Sequence, residues 1–339
     1  MRRTGLPATF MAWACAALCL AMAPALQAFG KGADSIVFIV TSDSHYVSSR
    51  NLDRIGRNKA TIDRMNAIEG TPWPERLGGG KVGKPRGVLV LGDLIDDGDK
   101  RGETPVQWRH FESQFGLDGT DGMLKFPVFE GWGNHDGPPA GKEKFGFSVQ
   151  AKIKERNIQR RKAGRIGSVS ENGLHYSWDW GDVHFVQANL YPADRQHPKV
   201  RYSLPWHDPQ GALSFVRDDL RKAVGDSGRP VVIVSHCGVD TDWWHPEDWA
   251  EFHKAVRPYN VVAYFYGHSG TGLRKYKPGE GEKPIDCLNT GQTEKGFFVA
   301  EVAPRRFRAA YQIKKDFKAT GDLEWEWKHL LDKPVGQSR

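Results

Sequence analysis

The stretch FYGHSGTG, Phe265–Gly272, closes a run of apolar residues and admits two readings. One is the G-x-S-x-G turn of a serine hydrolase, with Ser269 as nucleophile and Thr271 where the final glycine belongs. The other is a metal-binding loop of the form G-H-x-H, with His268 as one ligand and Gly270 where a second histidine would sit. Each is one residue short. A nucleophile elbow runs directly into a helix, whereas TGLRKYKPGEGEKP, residues 271–284, is broken by glycines and two prolines. The rest of the chain favours the metal loop.

Five short apolar runs read as buried strands: Ile36–Val40, Val88–Leu91, Phe126–Phe129, Val231–Val234 and Val261–Tyr266. They are β-branched or aromatic, near-continuously apolar and too short for helices. Each is followed by polar residues of one chemical kind. The sequences are TSDSH with Asp43 and His45, GDLIDDGD with Asp93, GWGNHDG with Asn134, His135 and Asp136, SHCG with His236, and GHSG with His268. Ligands of open α/β sheets bind beyond the carboxyl ends of strands, so these side chains should converge. A single histidine at a strand end is ordinarily a hydrogen-bonded structural residue, and Asp-Gly pairs are ordinarily turns. Five strands in succession ending in Asp, Asn or His call for a common cause. Oxygen and imidazole donors suit manganese, iron or zinc.

Between the strands, residues 51–68 and 105–115 read as helices. Leu213, Val216, Leu220 and Val224 form a further helical stripe, introduced by Asp208-Pro209. Leu174–Leu190 alternates about Trp180-Gly181-Asp182 and reads as a β-hairpin. Pro284–Leu288, Phe297–Val302 and Phe307–Ile313 are strand-like. The expectation is an α/β protein with two sheets in one compact domain. Residues 70–87 form a loop whose GGGK lacks the spacing of a phosphate-cradling P-loop.

This order of blocks resembles that of the calcineurin-like metallophosphoesterases over residues 35–302. The matching blocks are Asp43-Ser44-His45, Gly92-Asp93-Leu94-Ile95-Asp96, Gly133-Asn134-His135-Asp136, the lone His236, and Gly267-His268. The resemblance implies a four-layer α/β/β/α sandwich with two mixed sheets flanked by helices. It also implies two divalent ions (Mn, Fe or Zn) and hydrolysis of a phosphoric ester by a hydroxide that the metals activate. Asp43 and His45 would hold the first metal, Asp93 would bridge, and Asn134, His236 and His268 would hold the second. His135 would face the substrate as a proton donor, with Asp136 fixing its orientation. Gly270 departs from the pattern and leaves the first site one ligand short, with Asp96, Asp240 or Asp242 as substitutes. TDWWHPEDW, Thr241–Trp249, reads either as a substrate wall or as core, and Trp132 likewise.

At 339 residues with 39% hydrophobic residues, the chain can bury an ordinary core without staples. MRR, the apolar stretch from Phe10 to Leu26 and ALQA read as an export signal over residues 1–28. The expected layout is that signal, the phosphoesterase domain over 33–315, and a C-terminal extension over 316–339 as a short helix or strand. The protein is therefore expected to be exported, periplasmic or secreted, with no stable membrane span after cleavage. Cys237 and Cys287 would remain, able to form one disulfide. The net charge is +7, densest in KIKERNIQRRKAGR, Lys152–Arg165. That segment reads as a solvated helix face, or as an attractor for an anionic substrate. No groove-reading module accompanies it, so dedicated nucleic-acid binding is not expected. A phosphate-ester small molecule or lipid headgroup is the expected substrate. The competing function is a degenerate protein that binds a phosphate ligand without turning it over.

Overall fold

The computed structural model describes residues 35–138, 146–195, 210–241, 243–319 and 323–336. The expected signal segment, Asp208-Pro209 and Asp242 lie outside them. Thirteen strands build two sheets in this description. The first has the order β13 (Trp325–Pro334), β12 (Arg306–Lys314), β11 (Gly296–Ala303), β1 (Ile36–Thr41), β2 (Val88–Val90) and β3 (Val128–Glu130). In the second, β4 (Ser168–Val169), β5 (Tyr176–Trp180), β6 (Val183–Gln187) and β7 (Pro230–Val234) run on to β8 (Asn260–Tyr266), β10 (Ile285–Thr290) and β9 (Thr271–Tyr276).

The five apolar runs are strands; four lie inside the sheets and β3 ends the first. β1, β2 and β3 pair in parallel, as do β6, β7, β8 and β10. Their continuous hydrophobicity follows from burial on both faces. Phe38, Val40, Leu89 and Phe129 meet Phe185, Val232, Phe265 and Leu288 in the layer between the sheets. The alternate residues Val37, Ile39, Val88 and Val90 pack with Ile62, Met65, Trp108 and Phe111 of the covering helices. Those helices are α1 (Asp53–Asn66) and α2 (Thr104–Phe115). On the second sheet, Val231 and Ile233 pack with Leu213 and Val216 of α4 (Ala212–Asp219) and with Trp249 and Phe252 of α5 (Pro246–Val256). The result is the four-layer α/β/β/α sandwich.

One stretch differs from its sequence reading, and two others were left open by the sequence. The basic segment forms α3 (Val149–Lys162), but it is not a wholly solvated face. Arg156 and Arg160 are buried and both pair with Glu130 at the end of β3, because the interior carboxylate requires cationic partners. The Trp-rich stretch enters α5: Trp244 stacks on Trp249 at 3.9 Å between ring centres and is core, whereas Trp243 packs near the His268 ring. Trp132 is likewise buried, its Nε1 donating to the Gly137 carbonyl at 3.1 Å. The C-terminal residues Trp325–Pro334 are a strand that pairs antiparallel with β12, and Trp327 stacks on Trp73.

Candidate metal centre

Parallel pairing sends the carboxyl ends of β1, β2 and β3 to one edge of their sheet, where the chain turns sharply. Asp43, His45 and Asp93 carry φ values of 50°, 42° and 50°, and His268, after β8, carries 67°. These are four of the eight non-glycine residues with positive φ among the described residues. Such backbone costs about 1–3 kcal/mol per residue and persists where its surroundings impose it. The strain lies where the side chains must converge.

Gly267 permits the closest approach. A Cβ there would fall 2.0 Å from Ser42 Oγ and 2.4 Å from Asp43 Oδ2. That contact lets the two sheets' loops meet, and the His268 amide donates to Asp43 Oδ2 at 3.0 Å.

The expected ligands come together. His236 Nε2 lies 3.2 Å from Asp93 Oδ2 and 2.9 Å from Asn134 Oδ1, while its Nδ1 faces the Leu91 carbonyl at 2.9 Å. His45 Nε2 stands 3.6 Å from Asp43 Oδ1 and 3.7 Å from Asp93 Oδ2. The His268 ring lies 5.1 Å from the His236 ring, centre to centre. One donor atom each from Asp43, Asp93 and His236 falls within 4.8 Å of the others, as does one each from His45, Asp93 and His135. Asp93 belongs to both groups.

Electrostatics show what the cluster lacks. Asp43 and Asp93 are buried, and among the described residues no lysine or arginine pairs with either. Burial disfavours charge on His236, yet Asp93 outweighs it and raises the ring to about 9. His45 is likewise held up at about 10, against burial, by Asp43 and Asp96. Burial and the neighbouring His236 push His268 down to about 4, leaving it a neutral donor. The carboxylates draw protons onto imidazoles because no fixed cation serves them. Oxygen and nitrogen donors around two buried, uncompensated carboxylates fit divalent cations.

Two expectations about this site need correction. Asp136 does not orient His135. Its Oδ1 accepts from the Leu94 and Ile95 amides at 2.9 and 3.1 Å, and its Oδ2 from the Gly133 amide at 2.7 Å. It ties the β2 and β3 loops together, a task set by the three-residue turn that points its side chain back at the turn's first amide. His135 Nδ1 instead meets the Asp96 carbonyl at 2.8 Å, and its amide donates to Asp93 Oδ1 at 2.8 Å.

Asp96 does not replace the absent ligand either. Its Oδ1 lies 3.3 Å from His45 Nδ1, behind the ring, with Arg54 Nη1 3.5 Å away on α1. A carboxylate there fixes the imidazole's orientation. The G-D-x-x-D block contained Asp96, but nothing in the sequence marked Arg54. Asp240 is engaged by Ser269 Oγ at 2.8 Å and lies 3.5 Å from Arg274 Nε. At Gly270 φ is 119°, a conformation L side chains rarely adopt. A histidine there would require a different turn, so the departure is one of backbone as well as side chain.

Trp243 lies at the edge of the cluster, its ring 5.2 Å from that of His268. His245 caps α5, accepting from the Glu247 amide at 3.3 Å. Cys237 and Cys287 are buried thiols and are not joined to each other.

A two-sheet sandwich with Asp, Asn and His gathered at its strand ends is an architecture suited to holding metal ions. Comparison with known families agrees: residues 36–271 match the model of the calcineurin-like phosphoesterases. The chain belongs to that family. Among solved structures it is similar to PhoD, with a TM-score of 0.53 and 12% identity over 90% of this chain and 71% of that one. A likeness to TT1561 of Thermus thermophilus has a TM-score of 0.43 and 10% identity over 87% and 99% of the two chains. One to the Haemophilus influenzae NAD nucleotidase NadN has a TM-score of 0.41 and 10% identity over 87% and 54%. No curated protein matches the chain.

Proposed function

We propose that this protein is an exported hydrolase of phosphoric mono- or diesters, dependent on two divalent ions. One observation carries the reading: Asp93 Oδ2 stands between the two histidines, 3.7 Å from His45 Nε2 and 3.2 Å from His236 Nε2. Asp43, His45 and Asp93 would hold one ion, and Asp93, Asn134, His236 and His268 the other. When bound, such ions supply Lewis-acid neutralisation of phosphoryl oxygens and acidification of water.

The chain's own groups do the rest. Asp96, itself paired with Arg54, stands behind His45. The Leu91 carbonyl fixes His236 with one ring nitrogen turned toward Asp93. His135 projects from the same edge, more exposed than its neighbours, where it can donate to a departing ester oxygen. The Asp96 carbonyl at its Nδ1 selects the tautomer with hydrogen on that atom when the ring is neutral. His135 then gives a proton from Nε2 only when it enters as imidazolium.

Export rests on the charged and apolar N-terminal stretch. Among the described residues no helix is long and apolar enough to cross a membrane. The substrate would be a phosphate-ester small molecule or a lipid headgroup.

The short first site at Gly270 favours a second reading, a protein that holds a phosphate ligand without cleaving it. Purified protein reloaded with manganese and offered aryl phosphate mono- and diesters separates the two. Turnover lost on chelation supports hydrolysis, whereas saturable phosphate binding with no turnover supports the alternative.

A further inference from the structure

The loop that delivers His236 carries Cys237 as its next residue. One ring nitrogen of His236, one of His268 and the Cys237 sulfur lie within 4.8 Å of one another. Cys237 is fully buried. Its backbone is clamped on both sides: the amide donates to the Leu190 carbonyl at 2.8 Å, and the carbonyl accepts from Tyr264 Oη at 2.7 Å. Gly238 then passes against Tyr266 so closely that a Cβ would meet the ring at 2.2 Å. The thiol is thereby placed by its surroundings and cannot retreat by a loop shift. Cys287 is also buried, its sulfur donating to the Ile285 carbonyl at 3.5 Å, and it belongs to no such donor group among the described residues.

We propose that Cys237 is a sulfur ligand of the ion held by His236 and His268. This deepens the metal-dependent reading above and rests on it. Ligation forms a sulfur–metal bond and releases the thiol proton to solvent. A donor set of two imidazoles and a thiolate suits zinc, cobalt or ferrous iron, and disfavours magnesium and calcium, which prefer oxygen. The two sides of the centre would then differ in kind, one oxygen-rich around Asp43 and the other nitrogen- and sulfur-rich around His236.

The test uses the full chain, stripped of metal and titrated with cobalt(II) while near-ultraviolet and visible absorption are read. A thiolate-to-cobalt charge-transfer band is expected in the wild type and in Cys287→Ser, and is absent in Cys237→Ser and Cys237→Ala. Zinc affinity in those two variants should fall by more than about tenfold, since even outer partners of metal ligands are worth 10–100-fold. Cobalt bound with visible bands but no charge-transfer band overturns the sulfur ligand and leaves the phosphoesterase reading intact. A band that survives in Cys237→Ala arises elsewhere and overturns it as well. Failure of the wild type to bind cobalt, zinc or manganese sinks both. If neither Cys237 variant folds, zinc X-ray absorption on Cys287→Ser decides: a sulfur scatterer at about 2.3 Å is expected, and its absence overturns the assignment.

Discussion

Two buried charge clusters lie at the ends of neighbouring strands and behave in opposite ways. At the end of β3, Glu130 is fully buried and meets Arg156 and Arg160, both donated by α3. Despite burial, the two guanidinium groups hold Glu130 down at about 2. The cluster is complete within the chain. At the ends of the adjacent strands, Asp93 and Asp43 meet imidazoles and backbone amides, and protons on His45 and His236 provide what positive charge there is. That cluster has no fixed counter-charge among the described residues and suits a cation from outside. Burial is common to both, so burial does not mark function. The absence of a permanent internal counter-charge does.

The comparison breaks most sharply if the shared carboxylate proves dispensable. Asp93→Asn should lower phosphoesterase turnover by more than about a thousandfold, beyond the loss usual for one electrostatic donor. Its urea midpoint in chelator should fall only modestly, because His45 and His236, unlike a guanidinium group, can shed their protons once Asp93 loses its charge. Activity near wild type would refute the bridge.

Glu130→Gln should do the reverse. Two buried guanidinium groups lose their counter-ion, which costs about 3–5 kcal/mol of stability. Chemical denaturation would record that loss, while turnover per folded molecule stays unchanged. A normal denaturation midpoint would mean that water reaches Arg156 and Arg160.

His135→Ala sharpens the proton-donor assignment. Slowing of about a hundredfold is expected for an alkyl phosphate and far less for an activated aryl phosphate, whose departing oxygen needs no proton. Equal slowing of both removes His135 from that role.

The smallest effect lies away from the site. Burial disfavours charge on His184, but Asp179 and Asp219 outweigh it and raise its pKa. A raised histidine contributes stability that is fully present below its unfolded value of about 6.5 and is lost as pH rises through the folded value. The melting temperature should therefore decline over that window in the wild type, and the decline should be shallower in His184→Gln. Identical slopes would show the ring to be neutral in the fold.

Residue types at strand ends were sufficient to point to the centre because the information is local. Asp43, Asp93, Asn134, His236 and His268 each follow a buried strand within a few residues, and parallel pairing brings such ends together. The hairpin at Leu174–Leu190 was legible for the same reason, through its alternation and turn. Non-local partnerships were not legible. The basic run resembled a solvated helix face, since nothing nearby in sequence reveals that Glu130 waits beneath it. Asp136 beside His135 suggested a pair, but the short turn aims its carboxylate at backbone amides instead.

The sequence by itself determined the strands, their burial on both faces and the donor types at their ends, because period and composition act over a few residues. Only the tertiary structure decided which donors share Asp93, that Asp96 braces His45 from behind, and that the Cys237 sulfur stands beside two histidines. Those relations join segments far apart in the chain, and only the packing of two sheets against each other brings them within contact distance.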